Sequence, residues 1–223
     1  MTEAEWLVCA NPESMLHSLM GAAGERKSRL FAVACCRRVW GDIRDAACRA
    51  AVEATERFVE GAETEEGRRR RHGRAEAAHG ACYAEFGHDH PATRAAFAAM
   101  SASAHAMPWL VGYNVRTAAA MAAKGAADLA PDRGVEGAEQ AALLRDIFGN
   151  PFRPVSADPP WFTADVVALA AGIYEERAFD RLSILADALQ DAGCDDVDLL
   201  DHCRQPGEHV RGCWVIDLLL GKG

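Results

Sequence analysis

The sequence predicts an all-α protein, a helical bundle with a smaller C-terminal helical module. Two observations carry this. Alanine, the strongest helix former, occurs 45 times against 25 for Val, Ile and Thr together. Behind capping residues, apolar side chains then recur at i, i+3 and i+4 in one segment after another. A chain of 223 residues buries roughly 70% of its unfolded surface, so its core needs neither disulfides nor metal to form.

The elements follow in order. Asn11-Pro12-Glu13 reads as an N-cap, an N1 proline and an acidic first turn, and Met15, Leu16, Leu19 and Met20 supply the apolar face. A second helix starts near Glu25, with Leu30, Val33, Ala34, Cys36, Val39 and Trp40 as its buried stripe. A third begins near Asp42 and runs through Cys48, Val52, Thr55 and Val59 to a stop at Gly61. Helical patterns follow at about 64–86, 91–106, 109–124 and 139–148. Gly149-Asn150-Pro151-Phe152-Arg153-Pro154 then ends the helix, because each proline bars helix at and before its own position. Thr163 caps a helix with Val166, Val167, Ala170, Ile173 and Tyr174 on one side, and Asp180 caps another with Leu182, Leu185, Ala186 and Leu189. Asp195 or Asp196 starts a short helix ending near Cys203, and the apolar GCWVIDLLL of residues 212–220 is read as a buried final helix, with a strand as the minority reading.

The chain changes texture along its length. Residues 1–140 carry 17 basic and 19 acidic side chains, and residues 141–223 carry 7 and 14. Large apolar residues are also denser in the second part. Pro131, Gly134 and Gly137 interrupt the stretch between. The expected organisation is therefore an Ala-rich bundle over 1–130, a linker over 131–138 and a C-terminal module over 139–223.

Acidic residues at Glu3, Glu5 and Glu13 replace the basic n-region of a signal peptide, and the longest apolar runs, such as Phe31 to Cys36, fall short of a spanning helix. The expectation is a cytoplasmic protein without membrane partners. Its eight cysteines are then reduced thiols, not a disulfide framework. A net charge of −9 weighs against a general nucleic-acid binder.

The opening MTEAEWL, ANPESML and RKSRLFAVACCRRVW, together with the closing LLRDIFGNPFRPV, FDRLSILADALQDAGCDDVDLLDHCR and HVRGCWVIDLLLG, cover about half the chain. They resemble a large uncharacterised paralogous family of planctomycete bacteria. The resemblance implies a cytoplasmic bacterial protein whose C-terminal module is used in more than one context. It implies no activity, cofactor or catalytic residue.

The strongest chemical constellation is Cys194, His202, Cys203, His209 and Cys213, five thiols and imidazoles within twenty residues. Zinc takes four such donors in a tetrahedron, and the breaks between short helices allow them to converge. There is no Cys-x-x-Cys knuckle, and Cys is also one of the most commonly buried small residues, so structural thiols are the competing reading. In a second reading Cys213 is a nucleophile with His209 as its base, four residues earlier, and Glu208 or Asp217 as the orienting group.

Other features have plainer explanations. His88-Asp89-His90 precedes Pro91 and reads as a capped turn. Arg68-Arg69-Arg70-Arg71 is a candidate nucleic-acid patch, but it follows Glu63, Glu65 and Glu66, and Glu66 to Arg70 is the favourable i, i+4 order for a solvated, internally paired helix face. The usual phosphate-loop, dinucleotide, zinc-protease and nucleophile-elbow motifs are absent from the sequence. The function that follows is a nonenzymatic interaction or scaffold protein with a protein partner or self-association. The alternatives are a zinc-binding or thiol-dependent protein using the C-terminal cluster, and a regulatory nucleic-acid binder using Arg68–Arg71.

Overall fold

The computed structural model describes residues 1–19, 24–104 and 114–222. Among them are α1 (Glu3–Val8), α2 (Pro12–Ser18), α3 (Glu25–Arg38), α4 (Ala46–Val59), α5 (Glu65–Phe86), α6 (Pro91–Ser103), α7 (Val115–Ala127) and α8 (Arg133–Phe148). These are followed by α9 (Ala164–Glu176), α10 (Leu182–Asp191), α11 (Val197–Arg204) and α12 (Trp214–Leu220), with single 3-10 turns at Pro159–Trp161 and Phe179–Arg181 and no strand among the described residues. The all-α expectation holds, and 212–220 yields a final helix. No helix is long and apolar enough to cross a membrane.

Several starts are fixed by the caps visible in the sequence. Asn11, Thr163 and Asp196 each accept a backbone N–H from the first turn that follows. His90 does the same for α6 through Nδ1, which gives the His-Asp-His turn its role. Asp45, not Asp42, caps α4. Asp180 caps nothing with its side chain; it lies inside the 3-10 turn that leads into α10. Met20 and residues 109–113 of the expected 109–124 helix, Trp109 included, lie outside the described residues.

The chain forms two compact units, Cys9–Ala141 and Met1–Val8 with Ala142–Gly223. The expected linker over 131–138 is corrected: residues 133–138 are the first turns of α8, and the division falls further along that helix. Asp132 Oδ1 accepts from Gly134 N and Val135 N at 2.7 and 3.1 Å and so starts the helix that the glycines were expected to break. Gly137 is there for close packing, since a Cβ would meet the Ala10 carbonyl oxygen at 3.1 Å.

In the Cys9–Ala141 unit, α3 packs on α4, α6 and α7. Small residues set the spacing: a Cβ on Gly125 would meet the backbone of Ala98 at 3.1 Å. Cys35, Cys36 and Cys48 are fully buried, while Cys9 and Cys82 are half-buried.

The other unit is built on Val166, Ile173, Leu182, Leu185, Leu189, Leu199, Val215 and Ile216, all essentially inaccessible. Each such side chain contributes roughly 1.5–3 kcal/mol of burial free energy. Trp161 is buried in this core and Trp214 packs against it. α1 is fastened to the end of α8. Trp6 is fully buried and donates Nε1–H to the Gly149 carbonyl at 3.1 Å, while Arg145 returns two hydrogen bonds to the Trp6 carbonyl. Asp146 sits between these two anchor points.

Candidate metal centre

Three segments of the Ala142–Gly223 part meet at one buried point. Asp146 lies in the last turn of α8, a place the helix dipole makes unfavourable for a carboxylate unless other groups offset it. They do: Val210 N–H donates to Oδ2 at 2.9 Å, and His209 Nδ1 lies 2.6 Å from Oδ1. His202, on α11, places Nε2 3.2 Å from the same Oδ1 and 3.3 Å from Cys213 Sγ. Cys213 immediately precedes α12, and Gly212 before it takes φ +95°, a conformation that L side chains rarely adopt, turning the thiol back to the cluster. Asp146, His202 and His209 have side chains 4%, 7% and 8% exposed, and Cys213 is fully buried.

One donor atom from each of Asp146, His202, His209 and Cys213 lies within 4.8 Å of the other three. A buried group of this composition can hold a metal ion. With zinc–ligand bonds of roughly 2.0–2.3 Å, the edges of a tetrahedron run to about 3.3–3.6 Å. The separations of 3.2 and 3.3 Å already match such edges. The 2.6 Å His209–Asp146 contact would open by somewhat more than about half an ångström.

The buried carboxylate favours a positive charge beside it, which without metal is a proton. Burial raises the Asp146 carboxyl, but hydrogen bonds from His202 and His209 outweigh it and hold the group below its usual range. Burial opposes protonation of His209, yet Asp146 and the Gln205 backbone outweigh that and raise its pKa. Burial first, and then the Asp146 carboxylate, push the Cys213 thiol well above its ordinary range. A metal ion reverses that balance, because it binds the thiolate.

Of the five residues expected at the site, the structure brings together His202, His209 and Cys213. Cys194 and Cys203 are not among the grouped donors; both are 3% exposed and belong to the hydrophobic core. Burial pushes the Cys203 thiol up to about 12. The fourth donor, Asp146, was missed, standing 63 residues before His209. Its signal was an acidic residue on the buried stripe of its helix, beside Leu143, Leu144 and Ile147. For the nucleophile reading, the imidazole in contact with Cys213 Sγ is that of His202, at 3.3 Å, while His209 holds Asp146 at 2.6 Å and shares no helix with Cys213, since α12 begins only at Trp214.

The basic run also differs from expectation at one position. Arg69 and Arg70 are exposed and paired with Glu65 and Glu66, as a solvated face requires. Arg68 is completely buried. It holds Glu65 and donates to the Ser103 and Ala104 carbonyls at the end of α6, where Arg29 Nη1 joins it on Ala104 O at 2.8 Å. Both guanidinium groups lie over the Phe58 ring, at 5.2 and 5.6 Å. Arg68 therefore closes a helix end, where bare carbonyls need donors.

Fold and site together define an all-α protein with a buried Asp/His/His/Cys group able to hold a metal. No protein-family model matches the chain, and no curated protein or solved structure matches it significantly.

Proposed function

We propose that this chain is a nonenzymatic zinc-binding protein in which the ion fastens the end of α8, α11 and the start of α12 to one another. The observation that carries the reading is the convergence of four buried donor atoms, from Asp146, His202, His209 and Cys213, within 4.8 Å. Four protein donors fill zinc's usual coordination, whereas catalytic zinc sites keep a position open for water or substrate. That supports a structural ion and the nonenzymatic role. Mixed oxygen, nitrogen and sulfur donors of this kind suit zinc better than calcium or magnesium, which take oxygen ligands.

A module fastened in this way suits an interaction or scaffold protein of the cytoplasm, with a protein partner or a second copy as its contact. Phe152, Ile184 and Val197, at 42%, 56% and 66% exposure, are apolar side chains available to such a contact. Burial of Cys213 counts against the thiol-dependent reading. Burial of Arg68 counts against the nucleic-acid reading.

Elemental analysis of the purified full-length protein tests the centre. The expected result is about one zinc per chain in the wild type and much less in Asp146→Asn and Cys213→Ser. Wild-type protein without stoichiometric zinc, even after loading and desalting, overturns the proposal.

A further inference from the structure

We infer that Gln205 is a positioning residue of the proposed centre, setting the tautomer of His202 by turning its side-chain amide when the ion binds. The inference rests on the zinc reading above and adds a device to it.

Gln205 follows α11 directly, with its N–H bonded to the Asp201 carbonyl at 2.8 Å. It is exposed at the surface, yet its amide Nε2 lies 3.1 Å from Nδ1 of the buried His202 ring. The other ring nitrogen, Nε2, faces the cluster, 3.2 Å from Asp146 Oδ1 and 3.3 Å from Cys213 Sγ. The amide nitrogen beside Nδ1 assigns the proton arrangement of the proposal: an amide NH2 only donates, so Nδ1 accepts and a ring with one proton carries it on Nε2. That proton points at Asp146 and Cys213, as the metal-free network requires.

A zinc ion cannot share Nε2 with a proton. When Nε2 gives its lone pair to the metal, the neutral ring must carry its proton on Nδ1, and Nδ1–H then needs an acceptor. The amide NH2 now in front of it is the wrong partner. Rotating the Gln205 amide by half a turn brings Oε1 to the same place and supplies the acceptor. The ring proton is neither created nor lost in this exchange; it moves from Nε2 to Nδ1 through solvent while the amide turns. Glutamine suits the position because its two ends serve the two states, donor without metal and acceptor with it. A metal-ligating histidine held through its second nitrogen has both its orientation and its basicity set by that partner.

The test uses the full chain, zinc(II) titrated in competition with a chromophoric chelator, and nitrogen-15 NMR of the histidine rings. Gln205→Leu, which offers Nδ1–H no acceptor, is expected to weaken zinc binding about tenfold or more. Gln205→Glu, a permanent acceptor, is expected to bind at least as tightly as the wild type. Spectra of the wild type should show His202 protonated on Nε2 without metal and on Nδ1 with zinc. Three results would overturn the inference while leaving the zinc centre standing: wild-type affinity in Gln205→Leu, a metal-free ring protonated on Nδ1, or a zinc-bound ring still protonated on Nε2. Absence of any zinc binding by the wild type overturns the centre itself, and the metal-free tautomer then still reports whether the Gln205 amide donates as assigned.

Discussion

Asp146 Oδ1 and His209 Nδ1 lie 2.6 Å apart, across 63 residues of chain, in a site from which solvent is almost excluded. The contact stabilises the carboxylate and the imidazolium together, and it fixes how stability depends on pH in the absence of metal. The Asp146 pKa is depressed, so its contribution is present above the ordinary carboxylate value of 3.8 and is lost as pH falls through the lower folded value. The His209 pKa is raised, so its contribution is fully present below 6.5 and is lost as pH rises through the higher folded value.

Chelator-treated protein should therefore lose stability as pH rises above about 6.5, while zinc-loaded protein should gain over the same range, because zinc needs neutral imidazole and thiolate ligands. Urea unfolding midpoints measured with chelator and with zinc across this interval check the two slopes. Parallel slopes would contradict the expectation.

Gly149 joins a backbone requirement to a packing one. It takes φ +65°, and a Cβ there would meet the Trp214 ring at 3.1 Å. Gly149→Ala is expected to cost about 1–2 kcal/mol, from left-handed backbone strain and displacement of a ring that cannot bend away. Thermal unfolding of the variant measures it. Because Trp214 lies 5.2 Å from the His202 ring, the same variant should also weaken zinc binding.

The basic run should divide sharply under mutation. Arg68→Ala leaves the Ser103 carbonyl at the end of α6 without its side-chain donor, the Ala104 carbonyl with Arg29 alone, and Glu65 without its buried partner, so a loss of about 3 kcal/mol is expected. Arg69→Ala and Arg70→Ala touch only exposed pairs and should leave the denaturation midpoint nearly unchanged. Chemical denaturation of the three variants compares them directly.

Thiol labelling at neutral pH should separate the eight cysteines. Only the half-buried Cys9 and Cys82 are expected to react promptly in the folded protein. Burial pushes the Cys36, Cys48 and Cys203 thiols up to about 12, and it also raises that of Cys213, which has no solvent exposure. Peptide mapping after labelling identifies the sites. Prompt modification of Cys213 in folded protein would revive the nucleophile reading.

Much of the local structure was legible along the chain. Asn11, Thr163 and Asp196 announce their helices because a capping side chain acts within three residues of itself, and the stripe from Leu182 to Leu189 follows from a period of 3.6 residues. His202, His209 and Cys213 were visible as a group because they are close in the chain.

The rest depends on groups far apart in sequence. Asp146 reads as one more acid in a helix until α8 and the 205–213 loop meet. Cys203 and Cys194 look like ligands until the core encloses them. Arg68 is indistinguishable from Arg69 and Arg70 until α6 brings its bare carbonyls against it, and Gly137 looks like a breaker until the Ala10 carbonyl packs against it. Capping and periodicity are energies of neighbouring residues, legible in order along the chain. The choice of ligand, buried charge and tolerated glycine is set by desolvation and close contact between distant segments, which exist only once the chain has folded.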